Sequence, residues 1–197
     1  MVDMIMDGTG KGYRAKVNSD NQMEARAQSE SLQHSQSVKN QQAYQVLSVI
    51  NLSAATIVPI HIKNISKTKN LVLTYIRHQI IDQAGGTGFP NIDNYFRMAF
   101  GRVRTAGTGN LLTPVNLFVG SGNTAEIEVY SEPTLTGTAA EVDKWYTQNE
   151  GDMNVLNKQG SVIVSPNNTL EVAYVGDQTS GYAYMRLSFI MKKINGA

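Results

Sequence analysis

Tyr182-Ala183-Tyr184-Met185-Arg186-Leu187-Ser188-Phe189-Ile190-Met191-Lys192 is the longest regular alternation in the chain. Tyr182, Tyr184, Arg186, Ser188 and Ile190 fall on one side of an extended backbone. Ala183, Met185, Leu187, Phe189 and Met191 fall on the other. Successive side chains of a strand point to opposite faces, so this period of two predicts a long β-strand with one continuous apolar face.

The same signature recurs upstream. Residues 169–175 set Leu170, Val172 and Tyr174 against Glu171 and Ala173, and residues 125–131 set Ile127 and Val129 against Glu126 and Glu128. Residues 45–52 and 71–81 read as strands rich in Val, Leu and Ile. In 54–63, Ile60 and Ile62 flank His61, while Pro59 lacks an N–H, which predicts an edge strand or a bulge at that point. Residues 95–103 alternate in part, with a bulge or bend expected at Gly101, and 111–119 is broken at Pro114. Residues 139–146 carry the only tryptophan, Trp145, and fit either a helical turn or an irregular strand; 161–164 reads as a short strand. Between these lie turn-forming stretches: a solvated turn at 65–70, a glycine-rich loop at 82–92, and shorter breaks at 106–110, 120–123, 166–168 and 176–181. The count is about eight strands in 45–194 with no long helix. The expected class is all-β, an antiparallel β-sandwich, jelly-roll-like in the first reading and immunoglobulin-like in the second.

The first 45 residues have another texture. Residues 1–6 form an apolar tip, followed by Gly8, Gly10 and Gly12. Tyr13, Ala15 and Val17 alternate with Arg14 and Lys16, and Met23, Ala25 and Ala27 with Glu24 and Arg26, around the turn-forming Asn18-Ser19-Asp20-Asn21. A small hairpin over 13–27 is expected, then one short helix over 29–40 capped by Ser29. Such a helix is marginal alone and needs a partner surface. The division is thus an extended N-terminal arm, residues 1–45, and a sandwich body, residues 46–197. The arm's aromatic, apolar and basic side chains are the expected interface: Tyr13, Arg14, Lys16, Val17, Met23, Arg26, Leu32, Val38 and Tyr44.

Composition narrows the chemistry. The 197 residues carry a net charge of +1 and no cysteine. The charge offers no field for nucleic acid or an anionic membrane, and the missing thiols exclude disulfides, Cys–zinc sites and thiol catalysis. No run of about 18 apolar residues is present, and the acidic start lacks a basic leader region, so synthesis in a cytoplasm is expected. Gly8-Thr9-Gly10-Lys11-Gly12 lacks the Gly-Lys-Ser/Thr ending of a phosphate loop and reads as a flexible joint. His34, His61 and His78 have no metal-ligand spacing. Gly120-Ser121-Gly122 lacks the flanks of a nucleophile elbow. Glu126 and Glu128 fit a solvated face better than a glycosidase pair, and Glu141, Asp143, Glu150 and Asp152 lack the regular spacing of a calcium loop. No catalytic residue, cofactor or metal is expected. The aromatic set Trp145, Tyr174, Tyr182 and Tyr184 fits a sandwich core or surface, or else a protein or sugar contact.

The segment from Asp7-Gly8-Thr9-Gly10 through Ala15-Lys16-Val17-Asn18 to Ser29-Glu30-Ser31 and His34 resembles the N-terminal region of a group of tailed-bacteriophage virion structural proteins. Ile60-His61-Ile62-Lys63-Asn64 and Leu71-Val72-Leu73 are similar to the strands that follow in that group. The resemblance covers about the first 80 residues and implies a role as a capsid decoration, or cement, protein. It implies a place on the virion surface after synthesis in the host cytoplasm, with the major capsid protein and further copies of itself, as a homotrimer, for partners. A tail, collar or fibre component using loops 82–92 and 132–160 is the alternative. A carbohydrate-binding or carbohydrate-active sandwich using Glu126, Glu128 and the tyrosines is the remote one.

Overall fold

The computed structural model describes residues 16–17, 23–24, 37, 40–53, 56–81, 94–146, 153–176 and 180–194. The chain divides into two compact units, Met1–Ser31 and Leu32–Ala197. In the first, β1 (Lys16–Val17) and β2 (Met23–Glu24) pair antiparallel, Lys16 opposite Glu24 and Val17 opposite Met23. This is the centre of the hairpin expected over 13–27. Of the segment 29–40, only Ser37 and Asn40 belong to the described residues.

The second unit begins its strands with β3 (Ala43–Asn51), β4 (Ile57–Asn64), β5 (Lys69–Ile81), β6 (Tyr95–Phe100) and β7 (Val103–Arg104). Next come β8 (Asn110–Leu111), β9 (Val115–Asn116), β10 (Ile127–Ser131), β11 (Leu135–Thr136) and β12 (Ala140–Tyr146). It closes with β13 (Asn154–Val164), β14 (Thr169–Val175) and β15 (Tyr182–Lys193). Sheet I has the order β13-β5-β15-β3-β9, sheet II the order β12-β6-β14-β4-β10-β8, and β11 and β7 form a separate ribbon. Every pairing is antiparallel.

The alternation of 182–192 is explained by the position of β15 at the centre of sheet I. It pairs with β5 on one side and β3 on the other. Ala183, Met185, Leu187, Phe189 and Met191 point into one core shared by both sheets. From sheet II that core receives Ile60, Ile62, Phe96, Met98, Leu170, Val172 and Tyr174. Two antiparallel sheets with a common buried face make the body an all-β sandwich.

Several local readings are narrowed to one of their alternatives, and two are corrected. β4 is an interior strand between β14 and β10, so Pro59 is not at an edge. It lies at a bulge: Val172 pairs with Ile60 and Tyr174 with Ile57, leaving one extra residue on β4 at Val58–Pro59. The missing proline donor therefore breaks no ladder bond. The segment 139–146 contains strand β12 (Ala140–Tyr146), irregular because Val142 is extra between Glu141 and Asp143. That bulge turns Val142 outward and Trp145 inward. β13 is far longer than the predicted 161–164, since Asn157 and Val162 pair with Tyr75 and Leu73 across an irregularity that hides its periodicity. Gly101, at φ +95°, ends β6 and sends the chain out of sheet II into the β7–β11 ribbon. Around Pro114 the chain switches sheets, β8 pairing with β10 and β9 with β3.

The 65–70 turn is also more than a solvated connection. Ser66 is buried, and the Asn64 side chain donates to the carbonyls of Lys69 (2.9 Å) and Val164 (2.8 Å) while accepting from the Ser66 N–H (3.0 Å). The glycine-rich loop expected at 82–92 lies outside the described residues. Among those residues no helix is long and apolar enough to cross a membrane.

Candidate functional site

The most organised polar cluster lies on the outer face of sheet II. Alternation along β14 puts Glu171 on the side away from the core, yet it is 1% exposed. Gly101 turns the chain so that Arg102 folds back over the sheet. Arg102 donates to both Glu171 oxygens, from Nε to Oε2 and from Nη2 to Oε1, each at 2.7 Å. Arg97 adds a second guanidinium 3.8 Å from Oε1. The Arg102 carbonyl accepts from Thr169 Oγ1 at 2.8 Å and from His61 Nε2 at 3.1 Å. A carbonyl only accepts, so the neutral His61 ring carries its proton on Nε2. Burial is the largest influence on His61 and holds its pKa below the ordinary histidine value; the Arg102 carbonyl and Glu171 pull the other way. The cluster commits both Glu171 oxygens to Arg102 and leaves His61 Nδ1 buried with no hydrogen-bond partner among the described residues. Its chemistry is that of a clamp joining the Arg102 turn to β14 and β4.

The other titratable candidates lie apart from this cluster, and the buried His78 Nδ1 has no hydrogen-bond partner among the described residues. His78 is buried against Phe96 and Trp145, with ring centroids 4.8 and 6.0 Å away, and burial lowers its pKa to about 4. Glu126 accepts from Ser66 Oγ at 2.6 Å and pairs with Lys69; the Lys69 bond, then the Ser66 bond, holds its carboxyl below the usual range. Glu128 lies opposite Lys63 in the β10–β4 ladder. Asp143 pairs with Lys158, while Glu150 and Asp152 lie outside the described residues. Ser121 Oγ accepts from the Asn123 N–H at 3.1 Å and from Asn116 Nδ2 at 3.3 Å, a turn-holding role. Among the described residues, no group of three or more His, Asp or Glu side chains could hold a metal ion.

The remaining candidate is a surface. The outer face of sheet I has two ends. At one, Ala43, Val72 and Ile190 form a small cluster covered by Leu117 from the segment after β9. Among the described residues, nothing comparable covers the other end. Leu47 and Val49 of β3 are 42% and 44% exposed, Tyr184 of β15 is 38% exposed, and Tyr182, Ile81, Met153 and Val155 are exposed nearby. The ladders place these in rows across the sheet: Val155–Arg77–Arg186–Leu47, then Gln79–Tyr184–Val49, then Ile81–Tyr182–Asn51. Large apolar and aromatic side chains here surround a central pair of arginines, the residue types enriched at protein contacts.

The sequence-predicted interface falls in several places. Lys16, Val17 and Met23 lie in the β1–β2 pairing. Tyr13, Arg14, Arg26, Leu32 and Val38 lie outside the described residues. Tyr44 is a residue of β3, 1% exposed, its ring stacked on Phe189 at 5.7 Å, so its side chain faces the core rather than a partner. Its place in the inward series Tyr44, Val46, Ser48, Ile50 was the available signal. Of the aromatic set, Trp145 and Tyr174 are core and Tyr182 and Tyr184 are surface. No protein-family model matches the chain, and no curated protein matches it significantly.

Proposed function

We propose that this protein is a non-enzymatic structural component of a tailed-phage particle, of the capsid decoration (cement) type. One observation carries the reading: the chain is built in two parts. A hairpin-bearing unit, Met1–Ser31, precedes a unit from Leu32 onward that closes its own two-sheet core. Among the described residues, those of the two-sheet core all belong to the second unit, which supports an attachment role for the N-terminal segment. The resemblance of residues 7–34 to virion structural proteins supports the same reading, as do the exposed apolar and aromatic side chains of sheet I. In it, the N-terminal arm crosses neighbouring shell subunits and the body rests between capsomers, in contact with the major capsid protein and with other copies as a homotrimer. Many weak contacts repeated by symmetry then add through avidity.

The test is location and copy number in purified particles that contain the protein, by cryo-electron microscopy and quantitative mass spectrometry. Hundreds of copies at lattice positions are expected. A single ring or spike at one vertex would move the assignment to a tail, collar or fibre component, and absence from particles would end it. Deleting residues 1–40 is expected to leave a folded body that no longer binds shells.

A further inference from the structure

We propose that the open edge of β3 and the exposed face of sheet I receive an extended segment of a partner polypeptide that carries a carboxylate among large apolar side chains. The inference concerns this face alone and does not depend on the particle assignment.

The first observation is the edge. β9 covers β3 only at Tyr44 and Gln45. The Ala43 carbonyl accepts from the Leu117 N–H at 2.9 Å on the β9 side, and the Leu52 N–H donates to Gly181 at 2.9 Å near the β15 side. The β3–β15 register has no shift between these points. Odd-numbered residues therefore turn their main-chain groups away from β15, which leaves those of Leu47 and Val49 pointing out of the sheet. No described residue pairs with them. Sheet edges are ordinarily blunted by lysine, proline, a bulge or a cover. β3 has a regular register and two exposed aliphatic side chains at this place. An edge of that kind is suited to strand addition, in which main-chain bonds supply affinity and side-chain sites supply choice.

The second observation is charge. Arg77 and Arg186 are direct cross-strand partners. Like charges in that position destabilise a sheet, and neither arginine has an ion pair or hydrogen bond among the described residues. With Leu47, Gln79, Met153 and Tyr184 they line a depression of about 80 Å³. A guanidinium pair over an apolar floor fits a carboxylate, which arginine binds through two parallel bonds.

These observations select the occupant. A second copy joined β3 to β3 would satisfy the edge, but among the described residues no carboxylate lies in the strands of sheet I to meet the arginines. A net charge of +1 gives a nucleic-acid backbone little field to follow, so Tyr182 and Tyr184 at this face do not make it a base-stacking platform. A strand with alternating apolar and acidic residues meets both demands.

The probe is a capped nine-residue peptide alternating valine with glutamate, titrated against the full chain by fluorescence anisotropy; its glutamine counterpart is the control. Saturable binding is expected, about tenfold weaker for the glutamine peptide and for Arg186→Gln or Arg77→Gln, as the loss of a charge-assisted bond implies. The arginines are surface residues, and unchanged thermal unfolding of each variant would show that its fold is intact. Amide exchange at Leu47 and Val49 is expected to slow on binding. No saturation, equal binding of both peptides, or protection away from β3 would overturn the proposal. So would protection of Leu47 and Val49 that rises with protein concentration in the peptide-free sample, because a second copy would then hold the edge.

Discussion

Two single residues show how far burial departs from residue type. Glu171 is an acidic side chain on the outer face of its strand, yet Arg102 and Arg97 enclose it. Removing one partner of a buried ion pair leaves an uncompensated charge, so Arg102→Met is expected to cost about 3–5 kcal/mol, and Glu171→Leu added to it is expected to recover much of the loss. Urea unfolding of the single and double variants checks both statements. His78 gives a pH dependence. Burial lowers its pKa from 6.5 to about 4, so between those values the unfolded chain takes up a proton that the folded chain excludes. The contribution of His78 is thus complete above about pH 6.5 and is lost as pH falls toward 4, a total loss on the order of 3 kcal/mol. His78→Leu is expected to flatten that part of the stability–pH curve while leaving the part due to His61 and the carboxylates. An unchanged curve would show that His78 does not set it.

At the scale of the element, irregularities do the positioning. The bulge at Val58–Pro59 lets a proline occupy an interior strand, and the bulge at Val142 sends Trp145 into the core. Glycines at positive φ turn the chain where strands change partner. Gly107 and Gly109 are a matched pair for testing this, at φ +77° and +78°. An added Cβ at Gly107 meets nothing within 4 Å, whereas at Gly109 it comes 2.8 Å from the Ser131 carbonyl oxygen and 3.0 Å from Pro133 Cα. Gly107→Ala is expected to cost only the left-handed penalty of about 1–2 kcal/mol, and Gly109→Ala clearly more, because its clash is with backbone. Thermal melts of the two variants rank them; equal losses would show that the β8 region yields. Regular strands such as β14 and β15 were legible from alternation. β13 was not, because residues 158–161 interrupt its period, and a two-residue strand such as β7 or β8 carries too little pattern to be seen.

At the scale of the molecule, the fold depends on pairing between distant parts of the chain. β15 pairs with β3 and β5, joining Tyr182 to Asn51 and to Ile81 in one row. Truncation after Gly181 would remove the central strand of sheet I and Met185, Leu187, Phe189 and Met191 from the core. The truncated chain is expected to lose its cooperative melt and its β-type circular dichroism, and a preserved melt would mean that sheet II is stable alone. Contacts of such sequence separation also slow folding, so refolding in the millisecond-to-second range is expected in stopped-flow fluorescence of Trp145.

Alternation, chain breakers and composition are local properties, and they were enough to establish an all-β body, most of its long strands, a hairpin in the N-terminal unit and a chain without cysteine chemistry. The clamp at Glu171, the inward turn of Tyr44 and the β3 edge beside two arginines without an ion pair among the described residues came only from the folded chain. Each of these arises where strands far apart in sequence become neighbours. The alternation within one strand tells which side a residue faces, and tertiary pairing alone decides what covers that side.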